Sequence, residues 1–142
     1  MRSALQLPVG AGSDLIPVGI FTIPEISSIG LHVAEARQRH GDVLVGRARF
    51  AELARGQIAG SAEGLLKLVV EAGSLRILGC QILGEGATEL VHLAQMAIMT
   101  NFDAGMFVER IFNFPTMAEA YRVAALDVLG QVAQRAAASS VR

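Results

Sequence analysis

A chain of 142 residues is long enough for one domain, and at that size roughly 70% of the unfolded surface can be buried on folding. Twelve Lys+Arg against thirteen Asp+Glu leave a net charge of −1, with no basic run to neutralise a row of phosphates, so nucleic-acid binding finds no support. Apolar residues make up 52% of the chain and mean hydropathy is +0.46, yet no apolar run approaches the roughly 18 residues of a membrane span, which leaves a subunit or domain interface as the destination of the surplus.

In chain order, residues 1–15 show no period and read as a linker, with the domain proper expected over 16–142. The start "MRSALQLPVG" lacks the apolar core of a secretory signal, and a cytoplasmic protein is the expectation. "PVGIFTIPEISSIG" reads as two short extended segments broken at Pro24, because proline cannot donate to a strand ladder. "HVAEARQRHG" suits a short helix stopped by Gly41. "DVLVGRARFA" and "GLLKLVVEAGSLRILGCQILG" supply three strands, the last two joined by a turn around Ala72, Gly73 and Ser74.

The period then becomes helical. Ala87, Leu90, Ala94, Ala97 and Ile98 recur at helical spacing, and "MAIM" predicts a helix buried on most sides. Asp103 is placed to cap a short helix, "AGMFVERIF". A long helix follows Pro115, and its tail, "QRAAASSVR", is expected to fray. Strands first and helices last predict an α+β domain: an antiparallel sheet covered by helices.

The candidate sites each have a plain packing explanation. A lone cysteine, Cys80, excludes an internal disulfide and any cysteine-based zinc site, and reads as a buried structural thiol. "GEG" at 84–86 is a turn before a helix, not a dinucleotide fingerprint, since the third glycine and the βαβ unit are missing. His32, His40 and His92 have no metal-ligand spacing; the first two are expected exposed, and His92 buried and satisfied on its apolar helix. Thr116 and Glu119 match a capping box behind Pro115. Beyond it, Met117, Tyr121, Ala124, Val128 and Val132 form one stripe, while Val123 and Leu126 lie among Glu119 and Arg122. That pattern predicts a helix packed on its own sheet and on a second subunit.

Three ordered segments, "IPVGIFTIPEISSIG", "LRILGCQILGEGATELVHLAQMAI" and "FNFPTMAEAYRVAAL", resemble the C-terminal dimerisation domain of the flavoprotein pyridine nucleotide–disulfide oxidoreductases, over roughly residues 16–130. The resemblance implies a homodimer whose FAD- and NAD(P)-binding domains lie elsewhere in the same protein, with "MRSALQLP" as the tail of a flavin-domain helix. No FAD or NAD(P) is expected on this chain alone, because it has no phosphate-cradling glycine loop. In that family the last helix is preceded by His-Pro-Thr-x-x-Glu, the histidine serving as acid–base and the glutamate holding it. Here Pro115, Thr116 and Glu119 match, but Phe114 replaces the histidine, so no catalytic residue is expected in this chain. The resemblance implies that Phe114 and Pro115 face the partner's flavin, Phe114 through its backbone carbonyl. An aromatic residue there, with "VGRARFAELARGQIAG", is similar to the transhydrogenase branch of the family, which moves hydride between NAD(H) and NADP(H) through FAD. Such transfer needs stacked cofactors rather than a protein base. A lipoamide-dehydrogenase-like disulfide reductase without its base, or a stand-alone dimerisation module, are the alternatives.

Overall fold

The computed structural model describes residues 15–140. Five strands form one antiparallel sheet in the order β1-β2-β5-β4-β3, with β1 at Val18–Ile20, β2 at Ile26–Gly30, β3 at Val43–Arg49, β4 at Leu65–Glu71 and β5 at Ile77–Leu83. Helix α1 (Val33–His40) leads into β3; α2 (Ala54–Ala59) lies between β3 and β4; α3 (Ala87–Met99), α4 (Gly105–Glu109) and α5 (Glu119–Ser140) follow the sheet. The α+β architecture expected from the order of periods is the one found. The linker assigned to residues 1–15 falls, except for Leu15, outside the described residues.

Alternation along each strand sorts side chains between two faces. Ile29, Cys80, Ile82, Leu66, Leu68, Leu44 and Ala48 point to one face and are buried, and α3 and α5 cover them with Val91, Ala94, Tyr121, Ala124 and Val128. The other face carries a cross-strand row of Val18, Ser28, Gln81, Lys67 and Arg47. At one end of that face α1 buries Ala36 against Val43, Val69 and Leu78.

Small residues set how closely the layers approach. A Cβ on Gly46 in β3 would lie 2.0 Å from the Ala124 carbonyl oxygen, so the backbone of α5 rests directly on the strand. Phe50, wholly buried, belongs to a single 3-10 turn (Phe50–Glu52), and this turn and α2 escaped the sequence reading. Its ring fills the space beside Gly64 and Gly84, where a Cβ would come within 2.3 and 2.4 Å of ring atoms. Gly84 also has φ 137°, open to glycine and strained for other residues.

Three expectations need correction here. Asp103 does not cap α4: the N-cap is Ala104 with no side-chain cap, and the Asp103 segment instead bridges Arg76. Helix α3 is buried along one side only, with Leu93, Met96 and Met99 exposed, because a single sheet can cover a single helix face. The tail expected to fray is helical through Ser140, continuing α5.

Candidate functional site

The segment between α4 and α5 is fixed at both ends. Phe107 of α4 is buried, its ring centroid 4.8 Å from Tyr121 of α5 and 6.0 Å from Phe112, so an aromatic cluster anchors the start of the loop. At its end the Thr116 hydroxyl donates to the Asn113 carbonyl at 2.8 Å, closing a turn around Phe114 and Pro115, whose connecting peptide is cis. The Phe114 side chain projects out of this turn and is 70% exposed.

The expected capping box is not formed. Thr116 spends its hydroxyl on Asn113, and α5 begins only at Glu119, whose N–H reaches the Thr116 carbonyl at 3.2 Å. Glu119 therefore does not reach back as an N3 residue would. Its Oε2 is buried and has no hydrogen-bond partner, beside a recess of about 170 Å³ lined by Phe112, Asn113, Phe114, Glu119 and Arg122. A buried carboxylate oxygen without a donor is costly. With phenylalanine at position 114, the loop itself offers an exposed ring and backbone but no side chain that takes or gives a proton at that position.

Behind the site, α5 is tied to the rest of the domain by Tyr121. Its hydroxyl donates to the Leu90 carbonyl of α3 at 2.7 Å and lies 3.8 Å from Cys80 Sγ in β5. Burial pushes the Cys80 thiol up to about 12, and the Tyr121 hydroxyl only partly offsets this; the cysteine is structural, as expected. The start of α3 is held by a residue the sequence reading passed over. Glu25 Oε2 accepts from the Thr88 N–H at 3.1 Å and the Thr88 hydroxyl at 2.7 Å, placing a carboxylate at the positive end of the helix and joining it to the β1–β2 turn. The Thr88 hydroxyl and then its N–H hold the Glu25 carboxyl below its usual range, against a smaller opposing effect of desolvation. A glutamate after proline in a turn is the only sequence signal for it.

The histidines do not converge. His32 is exposed, and His40, also exposed, sits 3.1 Å from Glu71 Oε1. His92, expected buried, is exposed on the outer side of α3 with Nδ1 3.0 Å from Gln95 Oε1, because the helix turns this position away from the sheet. Among the described residues no group of three His, Cys, Asp or Glu is arranged for a metal ion, and no helix is long and apolar enough to cross a membrane.

Among the exposed apolar side chains of the described residues, two groups lie on regular elements. One is the outer side of α3, with Leu93, Met96 and Met99; the other is the uncovered end of the sheet, with Val18, Ile20, Ile26 and Leu83. Exposed patches of this kind mark interaction surfaces.

A model of the pyridine nucleotide–disulphide oxidoreductase dimerisation domain matches residues 16–125. Among curated relatives, the chain is 42% identical over 125 residues to a soluble pyridine nucleotide transhydrogenase of Mycobacterium bovis, covering 88% of this chain and 27% of that protein. It is 46% identical over 139 residues to the enzyme of the same name from Pseudomonas entomophila, covering 92% and 30%. With the one from Serratia proteamaculans it shares 49% over 121 residues, covering 82% and 26%. The chain thus spans less than a third of the length of these relatives. In fold it is similar to the HOCl-induced flavoprotein disulfide reductase RclA of Escherichia coli, with TM-score 0.79 at 23% identity over 88% of this chain and 29% of that one. LpdA of Mycobacterium tuberculosis superposes with TM-score 0.76 at 16% identity over 88% and 28%. The match over residues 16–125 and these relatives show that the chain belongs to the dimerisation-domain family of the pyridine nucleotide–disulphide oxidoreductases.

Proposed function

We propose that this chain is the dimerisation domain of an FAD-dependent pyridine nucleotide transhydrogenase, a homodimer in the cytoplasm whose FAD- and NAD(P)-binding parts belong to the same longer protein. The observation that carries the reading is Phe114, 70% exposed on an anchored loop at the position where a disulfide reductase of this family would need its acid–base. The residues present suit a flavin edge: the Phe114–Pro115 backbone is on the surface, the ring can exclude water, and the partnerless Glu119 oxygen lies beside it. When bound in the whole protein, FAD would supply hydride transfer between the two nicotinamide pools. Phe114 and Pro115 would position and shield it from the partner subunit, and this chain would contribute no proton-transfer group there. Alone, the domain binds neither FAD nor NAD(P) and is inactive.

The outer side of α3 suits the second copy. Leu93, Met96 and Met99 recur every three residues along one stripe, which a two-fold axis can pair with itself. The open end of the sheet, on the opposite side, is left for the remaining domains of the polypeptide.

The test compares two preparations. The 142-residue chain should purify colourless, and the longer protein carrying it should transfer hydride from NADPH to an NAD+ analogue. Phe114→Ala in the longer protein should impair flavin retention or hydride transfer, and Phe114→His should not introduce disulfide reduction. Disulfide reduction after that one change would overturn the transhydrogenase reading in favour of a reductase that has lost its base.

A further inference from the structure

The family match stops at residue 125, yet α5 continues to Ser140. The remaining part, residues 126–140, runs antiparallel along β3, the edge strand of the sheet, and meets its backbone in sequence. Asp127 Oδ2 accepts the Arg47 N–H at 2.9 Å. The Gln131 side-chain amide donates to the Val45 carbonyl at 3.0 Å and to Asp127 Oδ1 at 3.2 Å. One turn further on, Arg135 pairs with Asp42, just ahead of the strand.

These contacts fall on the side of β3 that faces away from β4. The sheet side is used by the even positions, as where Ala72 N–H donates to the Asp42 carbonyl and Phe50 N–H to the Gly64 carbonyl. Val45 and Arg47 are the alternate positions, whose backbone groups would receive another strand. The match is periodic: four helical residues advance about 6 Å and two strand residues about 6.8 Å. Residues 127 and 131 therefore meet 47 and 45 in step.

We propose that residues 126–140 of α5 are an edge guard, which occupies the outward Arg47 N–H and Val45 carbonyl at the middle of β3 and prevents a second copy of this chain from extending the sheet there. An open strand edge is a template for pairing, and two identical β3 strands would meet antiparallel about a two-fold axis. In a dimerising family the second copy is always near, so an open edge would compete with the intended interface. The guard goes beyond the transhydrogenase reading and stands whichever face dimerises.

Hydrogen exchange on the 142-residue chain tests the first half of this. The Arg47 amide should be protected, Asp127→Ala should speed its exchange about tenfold, and Asp127→Asn, which keeps an acceptor oxygen, should change it much less. Exchange of Arg47 at the rate of an unstructured amide, or unaltered by Asp127→Ala, overturns the proposal. Sedimentation tests the second half. The Asp127→Ala, Gln131→Ala double variant should form species larger than the unaltered chain at the same concentration. Adding Arg47→Pro should restore the original size, because that N–H makes no bond within the sheet and proline is tolerated on an edge. A double variant of unchanged size, or one whose larger species survive Arg47→Pro, overturns the guard. Should the double variant lose its circular dichroism, the exchange result of Asp127→Ala alone decides.

Discussion

At Gly46 two backbones meet with nothing between them, and the residue type follows from the space. A methyl group there would press on the Ala124 carbonyl oxygen and on Val128 Cγ2, 2.7 Å away, and neither the helix nor the strand can move alone. Gly46→Ala should therefore destabilise the domain by about 3 kcal/mol, read as a shift in the urea midpoint. An unchanged midpoint would mean that α5 lifts off the strand at little cost. Charge acts at the same scale around Glu71. The Ser74 hydroxyl first, then His40 and Arg76, hold its carboxyl down at about 2, against desolvation, from an ordinary 4.5. A carboxyl depressed in the fold stabilises it above its unfolded value, and that contribution is lost as pH falls through the window from 4.5 to about 2. Glu71→Gln should thus lower the urea midpoint near neutrality and converge with the unaltered protein as acid is added. Curves that stay parallel down to the lower end of that window would remove Glu71 from the acid response.

Elements were legible in the sequence where one period dominated. The strands at 43–49, 65–71 and 77–83 announce themselves as short apolar runs rich in Val, Ile and Leu between turns, and the helix after residue 86 by its helical spacing of apolar residues. What stayed hidden depends on partners far along the chain. The turn at Phe50 forms because its ring fits beside Gly64 and Gly84, and no local pattern encodes that fit. The Thr116–Glu119 pair looked like a cap by spacing, but the hydroxyl found the Asn113 carbonyl first. His92 has apolar neighbours on both sides, but Val91 takes the buried side of the helix while His92 and Leu93 turn outward. In the loop between α4 and α5, the lack of a proton-transferring side chain at position 114 is plain from the residues, whereas the partnerless Glu119 oxygen required coordinates. Tyr121 shows how the elements are tied: one hydroxyl joins α5 to α3 beside Cys80 of β5. Tyr121→Phe leaves the half-buried Leu90 carbonyl without that donor and should cost about 1 kcal/mol. Thiol labelling measures it, since Cys80 is fully buried and reacts only on opening. A labelling rate unchanged by Tyr121→Phe would show that packing alone holds the helices together.

On the scale of the whole molecule, the domain leaves more apolar surface open than it needs to fold. Met96 is 58% exposed on α3 and Leu126 is 49% exposed on α5, and neither belongs to the buried core. A carboxylate at either position keeps water in the monomer, so folding should be nearly indifferent to it. In a two-fold contact along α3 the same carboxylate would be desolvated and set near its own copy, and both effects oppose association. Met96→Glu should therefore weaken dimerisation on the order of 100-fold while the thermal unfolding of dilute protein stays close to that of the unaltered chain. Leu126→Glu should also weaken association more than it disturbs folding. Sedimentation over a concentration series separates the two effects. If Met96→Glu leaves the dimer intact, α3 is not the self-pairing surface, and the uncovered end of the sheet around Ile20, Ile26 and Leu83 becomes the face to mutate next. If it abolishes folding instead, the helix depends on its partner for stability, and monomer and dimer cannot be separated for this domain.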